Sequence, residues 1–275
     1  MTTDRAMGGR GDGEKHRRPR RFAPPPHRPT VSSSGDLVYG RRPVWEVLQS
    51  GRRGVHKLWA VHGAGGGIVE QILAVARERG VPVEWADRAR LDRLTMRGHH
   101  QGVAVQVSSA SYVALSDFLS ALGPTAPAVL VALDEIQDPQ NVGAILRSAG
   151  FFGVQAAVVT QWRSAPVGET AWRVSSGAVE HVPIIRVTNL VQAIDELKES
   201  GFDVWGADMA GEPLGSQEAP QRAVIIMGSE GKGLRRLVRE HCTRLVGIPA
   251  RTPVGSLNVG SSTAIFLYEL FRRPR

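Results

Sequence analysis

Three short clusters combine side chains that could do chemistry with backbone that could hold a ligand. The first runs Asp134-Glu135-Ile136-Gln137-Asp138-Pro139-Gln140-Asn141, with Arg147 six residues further on. An amide and a guanidinium at that spacing can position a polar or anionic substrate. Asn141 could equally cap a helix, and Arg147 could be a solvated charge. Gly143, Ala144 and Gly150 surround Arg147 at helical spacing, and small neighbours would let a backbone, a phosphate or a second subunit come close. The second cluster is Met227-Gly228-Ser229-Glu230-Gly231-Lys232-Gly233-Leu234, whose glycines let main chain turn tightly and approach a ligand. It is not a Walker A loop, because Met227 stands where that pattern needs glycine and Gly233 where it needs Ser or Thr. Glu230 in such a loop would repel a nucleotide phosphate, which favours a cationic or uncharged ligand. The third cluster, Ile248-Pro249-Ala250-Arg251-Thr252-Pro253-Val254-Gly255-Ser256-Leu257-Asn258, leads into the C-terminal helix. Ser256 or Asn258 is expected to cap that helix, whose free N–H groups can bind an anion or an uncharged polar ligand.

The elements that position these clusters follow from periodicity. Apolar runs at 129–133, 154–159, 182–187, 204–207, 224–227 and 245–248 read as strands, and 142–152, 190–199, 234–241 and 259–271 as helices. Apolar strands alternating with helices predict an α/β fold with a parallel sheet covered on both faces. In such a sheet ligands sit beyond the carboxyl ends of the strands, and each cluster follows a strand. Ahead of this section, 36–108 reads as a small α/β domain of about 70 residues, with strands at 55–61, 81–85 and 103–107 and a helix at 68–79. Residues 109–126 read as a linker with a short helix at 115–122, and 1–35, rich in Gly, Arg, Pro and Ser, as a disordered basic tail.

Charge divides along the same boundaries. The 275-residue chain carries a net +8. Residues 1–30 hold 8 basic and 3 acidic side chains, 31–108 hold 11 and 7, and 109–275 hold 15 and 16. A basic front on a near-neutral back suggests that the front handles a polyanion. No apolar run approaches the ~18–20 residues of a membrane span, and the first thirty residues contain no apolar signal region. The single cysteine, Cys242, excludes a disulfide framework and reads as structural; it fits a reducing cytoplasm. No metal-binding spacing is present, and no metal is assigned. Gly63-Ala64-Gly65-Gly66-Gly67 misses the dinucleotide-binding pattern and reads as a flexible loop.

Taken together, the clusters resemble the SpoU, or TrmH, branch of the SPOUT RNA methyltransferases. Asn141 with Arg147 matches the family's first motif, Gly228 to Leu234 the second, and Ile248-Pro249 with Ser256-Leu257-Asn258-Val259 the third, in order, within 127–272. Residues 37–108 resemble the family's ribosomal-protein-like substrate-binding domain, including His100-Gln101-Gly102-Val103. The layout is most similar to the bacterial 23S rRNA guanosine-2′-O-methyltransferases. Three positions depart from the family pattern: Ala250 stands where Met is common, Thr252 where Gly is common, and Gly260 where Ser is usual.

The resemblance implies S-adenosylmethionine as methyl donor, a homodimer, 23S rRNA as substrate, and a trefoil knot in the C-terminal domain at 127–275. It implies a catalytic group of Asn141, Arg147, Glu230, Ser256 and Asn258, with Arg147 reaching across the dimer interface. The donor would be held by Gly228, Gly231, Ile248, Pro249 and Leu257, and RNA by Arg41, Arg42, Arg52, Arg53, His100 and Gln101. A tRNA enzyme, an antibiotic-resistance rRNA enzyme, and a non-catalytic RNA-binding protein on the same fold stay open as alternatives.

Overall fold

The computed structural model describes residues 35–216, 218–252 and 256–272. Of the basic tail at 1–35, residues 1–34 lie outside them. The chain builds two sheets. The smaller contains β1 (Asp36–Tyr39), β2 (Val55–Val61), β3 (Val83–Ala86) and β4 (Val103–Val107) in the order β1-β4-β2-β3. It is mixed, with β4 antiparallel to both neighbours and β2 parallel to β3. Helices α1 (Arg41–Ser50), α2 (Gly67–Glu78) and α3 (Arg88–Leu94) pack against it. In α1, Val44, Val47 and Leu48 recur on one face and are fully buried, and Gly51, left-handed at φ 62°, ends the helix.

The larger sheet is parallel throughout and has seven strands. It contains β5 (Tyr112–Val113), β6 (Ala128–Asp134), β7 (Ala156–Thr160), β8 (Ile184–Val187), β9 (Asp203–Pro213), β10 (Arg222–Gly228) and β11 (Arg244–Gly247). The order is β11-β9-β10-β6-β7-β8-β5. Every residue of β6 is buried, as a central strand covered on both faces requires. The covering helices are α4 (Leu115–Leu122), α5 (Pro139–Phe152), α6 (Glu169–Val174), α7 (Leu190–Glu199), α8 (Arg236–His241) and α9 (Val259–Arg272). From β6 the chain first builds outward through β7 and β8, then returns to build β9, β10 and β11 on the other side. The direction therefore reverses between β6 and β10, where the crevice of an open α/β sheet lies.

Four differences from the sequence reading have local causes. The 109–126 segment is not only a linker: Tyr112 and Val113 pair with β8, and α4 buries Leu115 and Phe118. Strand β1 and helix α6 are too short for periodicity to reveal. Strand β9 extends to Pro213 because its pairing with β11 resumes after a break, Leu245 opposite Gly206 and Val246 opposite Glu212. Finally, α5 is capped by Asp138, whose Oδ1 accepts from the Gln140 N–H at 2.8 Å, so Asn141 is not the cap.

The two sheets are joined by a buried ion cluster. Arg53 donates to Asp36 at 2.6 Å and Glu180 at 3.2 Å, and its Nε donates to the Ser108 carbonyl at 2.6 Å. Its guanidinium also lies 4.0 Å from the ring centroid of Trp172. Beside it, the Tyr39 hydroxyl donates to Glu169 at 2.7 Å, and His181 meets Glu46 at 2.7 Å. Arg53 was expected to contact RNA, but it is 8% exposed and fully engaged in fastening the small sheet to the segment around α6.

Candidate active site

The register of β10 on β6 sets Gly228 opposite Asp134 at the carboxyl ends of both strands. The chain leaves β6 through Glu135–Asp138 into α5, and leaves β10 through a closed five-residue loop. In that loop Ser229 and Gly233 exchange backbone hydrogen bonds at 3.1 and 2.9 Å, with Gly231 and Gly233 left-handed. Gly228 must be glycine because a Cβ there would lie 2.3 Å from the Gly233 carbonyl carbon. The loop therefore presents Glu230 and main-chain groups over the crevice.

The first turn of α9 meets the same crevice. Asn258 Oδ1 accepts from the N–H of Gly260 at 2.9 Å and of Ser261 at 3.4 Å, which makes Asn258 the cap of α9. Its Nδ2 donates to Asn141 Oδ1 and to Glu230 Oε1, both at 2.9 Å. Since backbone N–H groups fix which end of the Asn258 amide is oxygen, the nitrogen must face Asn141 and Glu230. One side chain thus gathers a residue from each of the three clusters. Asn141 is buried, whereas Glu230 and Asn258 open to solvent.

Arg147 is not part of this group. Six helical residues place it about 9 Å along α5 from Asn141 and on a different face. It is exposed, with no ion-pair partner among the described residues. The small residues around it serve packing: a Cβ on Gly143 would lie 2.6 Å from Val174 Cβ, and one on Gly150 2.9 Å from Ala178 Cβ. They seat α6 and the short 3₁₀ turn at Ala178–His181 against α5, and do not clear a path to Arg147. Ser256 and Leu257 are exposed beside Asn258; Ile248 is half-buried at the end of β11, and Pro249 is exposed. Ala250 and Thr252 are exposed on the same stretch. Gly260 has a physical reason: a Cβ there would lie 2.7 Å from Ala144 Cβ, where α9 crosses α5.

Beneath the site lies an ion network that the sequence did not reveal. Asp134, fully buried, accepts from Arg235 N–H at 2.8 Å and Arg235 Nε at 2.6 Å. Glu135 pairs with Arg163 at 3.3 Å and Arg235 at 3.5 Å, and both Glu135 and Arg163 are left-handed. Asp134 was visible at a strand end, but its partner is 101 residues away. Among the described residues no group of three or more His, Cys, Asp or Glu could hold a metal ion.

Of the residues expected to meet RNA, Arg42, Arg52 and Gln101 are exposed and Arg41 partly so, Arg42 lying 3.7 Å from Glu46. His100 departs from expectation. It is 3% exposed, its Nδ1 accepting from Gly102 N–H at 3.0 Å and its Nε2 lying 3.0 Å from Asp92. With Nδ1 an acceptor, the ring's proton sits on Nε2 and points at Asp92, so both His100 nitrogens are engaged within the protein and the ring shapes its loop.

Residues 128–268 match the SpoU rRNA Methylase family, and residues 37–113 match the domain described as RNA 2′-O ribose methyltransferase substrate binding. An uncharacterized tRNA/rRNA methyltransferase of Mycolicibacterium smegmatis is 39% identical over 242 residues, spanning 87% of this chain and 77% of that one. A Bacillus subtilis protein assigned to the TrmH family of tRNA/rRNA methyltransferases is 34% identical over 245 residues, 88% of this chain and 98% of that one. The crystal structure of an AdoMet-bound rRNA methyltransferase from Sinorhizobium meliloti superposes with a TM-score of 0.73 at 25% identity, covering 87% of this chain and 88% of that one. The α/β fold with its parallel sheet, the three clusters gathered at the β6/β10 crevice and the matched family models agree: this chain belongs to the SpoU family of RNA methyltransferases.

Proposed function

We propose that the protein is an S-adenosylmethionine-dependent RNA ribose 2′-O-methyltransferase acting on a guanosine of 23S rRNA. The observation that carries the reading is the bonding of Asn141 and Glu230 to one amide, that of Asn258, at the reversal point of the sheet. S-adenosylmethionine, when bound, supplies a methyl group on a sulfonium for the ribose oxygen. The residues present suit it: turns that offer main chain at Gly228 and Gly231, apolar surface from Ile248 and the 49% exposed Leu257, Pro249 next to Ile248, and the exposed carboxylate of Glu230. A phosphate-bearing nucleotide would meet Glu230 unfavourably.

Methyl transfer to a hydroxyl needs in-line alignment and loss of one proton. Alignment can supply up to ~7–11 kcal/mol, against ~10²–10⁴-fold for a general base. The Asn141–Asn258–Glu230 group is built for alignment, since its bonds fix three loops together. A guanidinium offers hydrogen-bond donors and no acceptor, so Arg147 is not assigned as the base. It holds the phosphate beside the target ribose and favours the 2′-oxyanion, while the proton passes to that phosphate, to water or to Glu230. Ser256, exposed next to the group, completes the ribose contacts.

Arg147 lies about 9 Å along α5 from Asn141 and on a different face, a placement that suits a homodimer in which it serves the partner's site. Phe151, one turn on and 81% exposed, shares the face of Arg147, and Ile265 and Tyr268 are exposed on α9. The C-terminal knot is proposed with the family assignment. The match of 37–113 to a domain described as RNA 2′-O ribose methyltransferase substrate binding supports an RNA substrate and a ribose 2′-oxygen as the target, and the likeness to an rRNA methyltransferase over both domains favours rRNA. Arg147→Ala should abolish turnover while calorimetric donor binding stays nearly unchanged; comparable activity in the variant refutes the assignment. Mapping 2′-O-methyl groups on rRNA from cells with and without the gene identifies the nucleotide.

A further inference from the structure

The small domain contains an open cleft of about 510 Å³ that the catalytic group does not use. Its walls bring together Arg41 at the start of α1, His62 after β2, Arg88 at the start of α3, and His99 and Gln101 in the loop before β4. We infer that this cleft takes one unpaired nucleotide of the substrate RNA, its phosphate against Arg41 and Arg88 and its base against His62. The inference rests on the reading of the protein as an RNA-modifying enzyme, and specifies how its small domain selects RNA.

Size, charge and hydrogen-bonding sense all point to that ligand. Pockets for small molecules and cofactors run from ~300 to 1,000 Å³, a range that includes a single nucleotide. The walls contain two arginines and no carboxylate, so an anion is favoured. Arg41 is oriented by its neighbour: its backbone N–H donates to Gln101 Oε1 at 2.9 Å and its Nε to the Gln101 carbonyl at 3.2 Å. Its terminal nitrogens have no protein partner among the described residues. The same bond fixes the Gln101 amide with Oε1 toward Arg41, which leaves Nε2 as a donor. The cleft therefore offers donors, and phosphate oxygens and base carbonyls are the matching acceptors.

An aromatic surface accompanies the charge. His62 stacks on Trp85 with ring centroids 5.5 Å apart and planes 22° apart, and Trp85 is 44% exposed. The pair sets two near-parallel aromatic planes at the cleft, the kind of surface on which an unpaired base stacks. The floor is preformed as well. Gln101 is left-handed at φ 54°, a conformation kept in place by the two Arg41 bonds and by His100 clamped between Asp92 and Gly102. A base in a duplex is already stacked and paired, and cannot enter a concave cleft of this size. A base in a loop or bulge can.

The test measures binding of the full-length protein to two fluorescein-labelled RNAs of equal length, a hairpin with an unpaired loop and a fully paired duplex, at one salt concentration. Wild type should bind the hairpin at least ~10-fold tighter. His62→Ala, and separately the pair Arg41→Ala with Arg88→Ala, should bring the hairpin to the duplex level. Arg77→Ala with Arg79→Ala removes the same charge at the far end of α2 and should keep the loop preference; circular dichroism checks that each variant is folded. An unchanged preference in His62→Ala, or an equal loss in the α2 control, overturns the pocket. Wild type that binds both RNAs alike overturns the pocket alone. Wild type that binds neither overturns the RNA-substrate reading with it, and calorimetric donor binding then reports separately on the catalytic domain.

Discussion

The side-chain amide of Asn258 reaches Asn141 across 2.9 Å, joining residues 117 apart in the chain. The bond has a fixed sense. Two backbone N–H groups of α9 hold the Asn258 oxygen, so its nitrogen points into the crevice and Asn141 must answer with its own oxygen. Capping and site assembly are therefore done by opposite ends of one side chain, and they can be separated.

Asn258→Asp should separate them. Aspartate caps a helix as well as asparagine, so stability should change little. In the crevice, however, a second carboxylate would face Glu230, losing that bond and adding repulsion, and the Asn141 amide would have to turn over to donate. Methyl transfer should fall by at least ~10²-fold, the scale of a small misplacement at a reacting centre. Thermal denaturation beside single-turnover methylation checks this; retained activity contradicts the alignment role. Asn258→Ala should lose activity and also about 1 kcal/mol of stability with the cap.

The crossing of α5 and α9 depends on Gly260 and Ala144 together. Gly260→Ser should cost about 1–3 kcal/mol, because the new Cβ would stand 2.7 Å from Ala144 Cβ with no flexible atom to yield. Adding Ala144→Gly should recover much of the loss, less the cost of a second helical glycine. Denaturant unfolding of the two single variants and the double variant gives the coupling, and additive effects would locate the strain elsewhere.

The junction of the two sheets should respond to pH in a defined direction. Burial pushes the Glu180 carboxyl above its ordinary value, with Arg53 pulling the other way. A carboxyl raised in the folded state holds its proton over the interval between its unfolded and folded values. Stability from this group is thus greatest below that interval and falls as pH rises through it. Arg53→Ala leaves the charge buried without its partner and should cost about 3–5 kcal/mol near neutrality. The deficit should shrink toward acid pH, and Glu180→Gln should relieve it in the same background. Thermal melts of the four proteins at several pH values test this; a deficit independent of pH excludes the buried charge as its cause.

Cys242 should be inert. Burial, reinforced by the charge of Asp134, pushes its thiol up to about 12, and its Sγ–H donates to the Val238 carbonyl at 3.2 Å. The thiolate is the reactive form, so iodoacetamide at pH 8 should label the native protein far more slowly than the unfolded chain. Equal rates would mean that the α8 end opens readily.

Much of this was legible in the residues. The alternation of apolar strands and helices dictated a parallel sheet, and a parallel sheet dictates loops at its carboxyl ends. The three clusters therefore had to share one edge. Helices α2, α5, α7 and α9 carry their period over ten or more residues and were visible for that reason. Strand β1 and helix α6 span four and six residues, too few to show a period, and β5 spans two.

Partners were not legible. A sequence states that Arg53, His100, Asn141 and Asp134 are polar; it does not state what each one meets. Arg53 went to a buried junction, His100 to the floor of a loop, Asn141 to the site and not to a cap, and Asp134 to Arg235, 101 residues on. Local propensity acts within a few residues, so sequence alone determined the elements and the loops that bear the chemistry. Burial and hydrogen-bond pairing act across the chain. Only the tertiary structure could decide which polar groups face a ligand and which face each other.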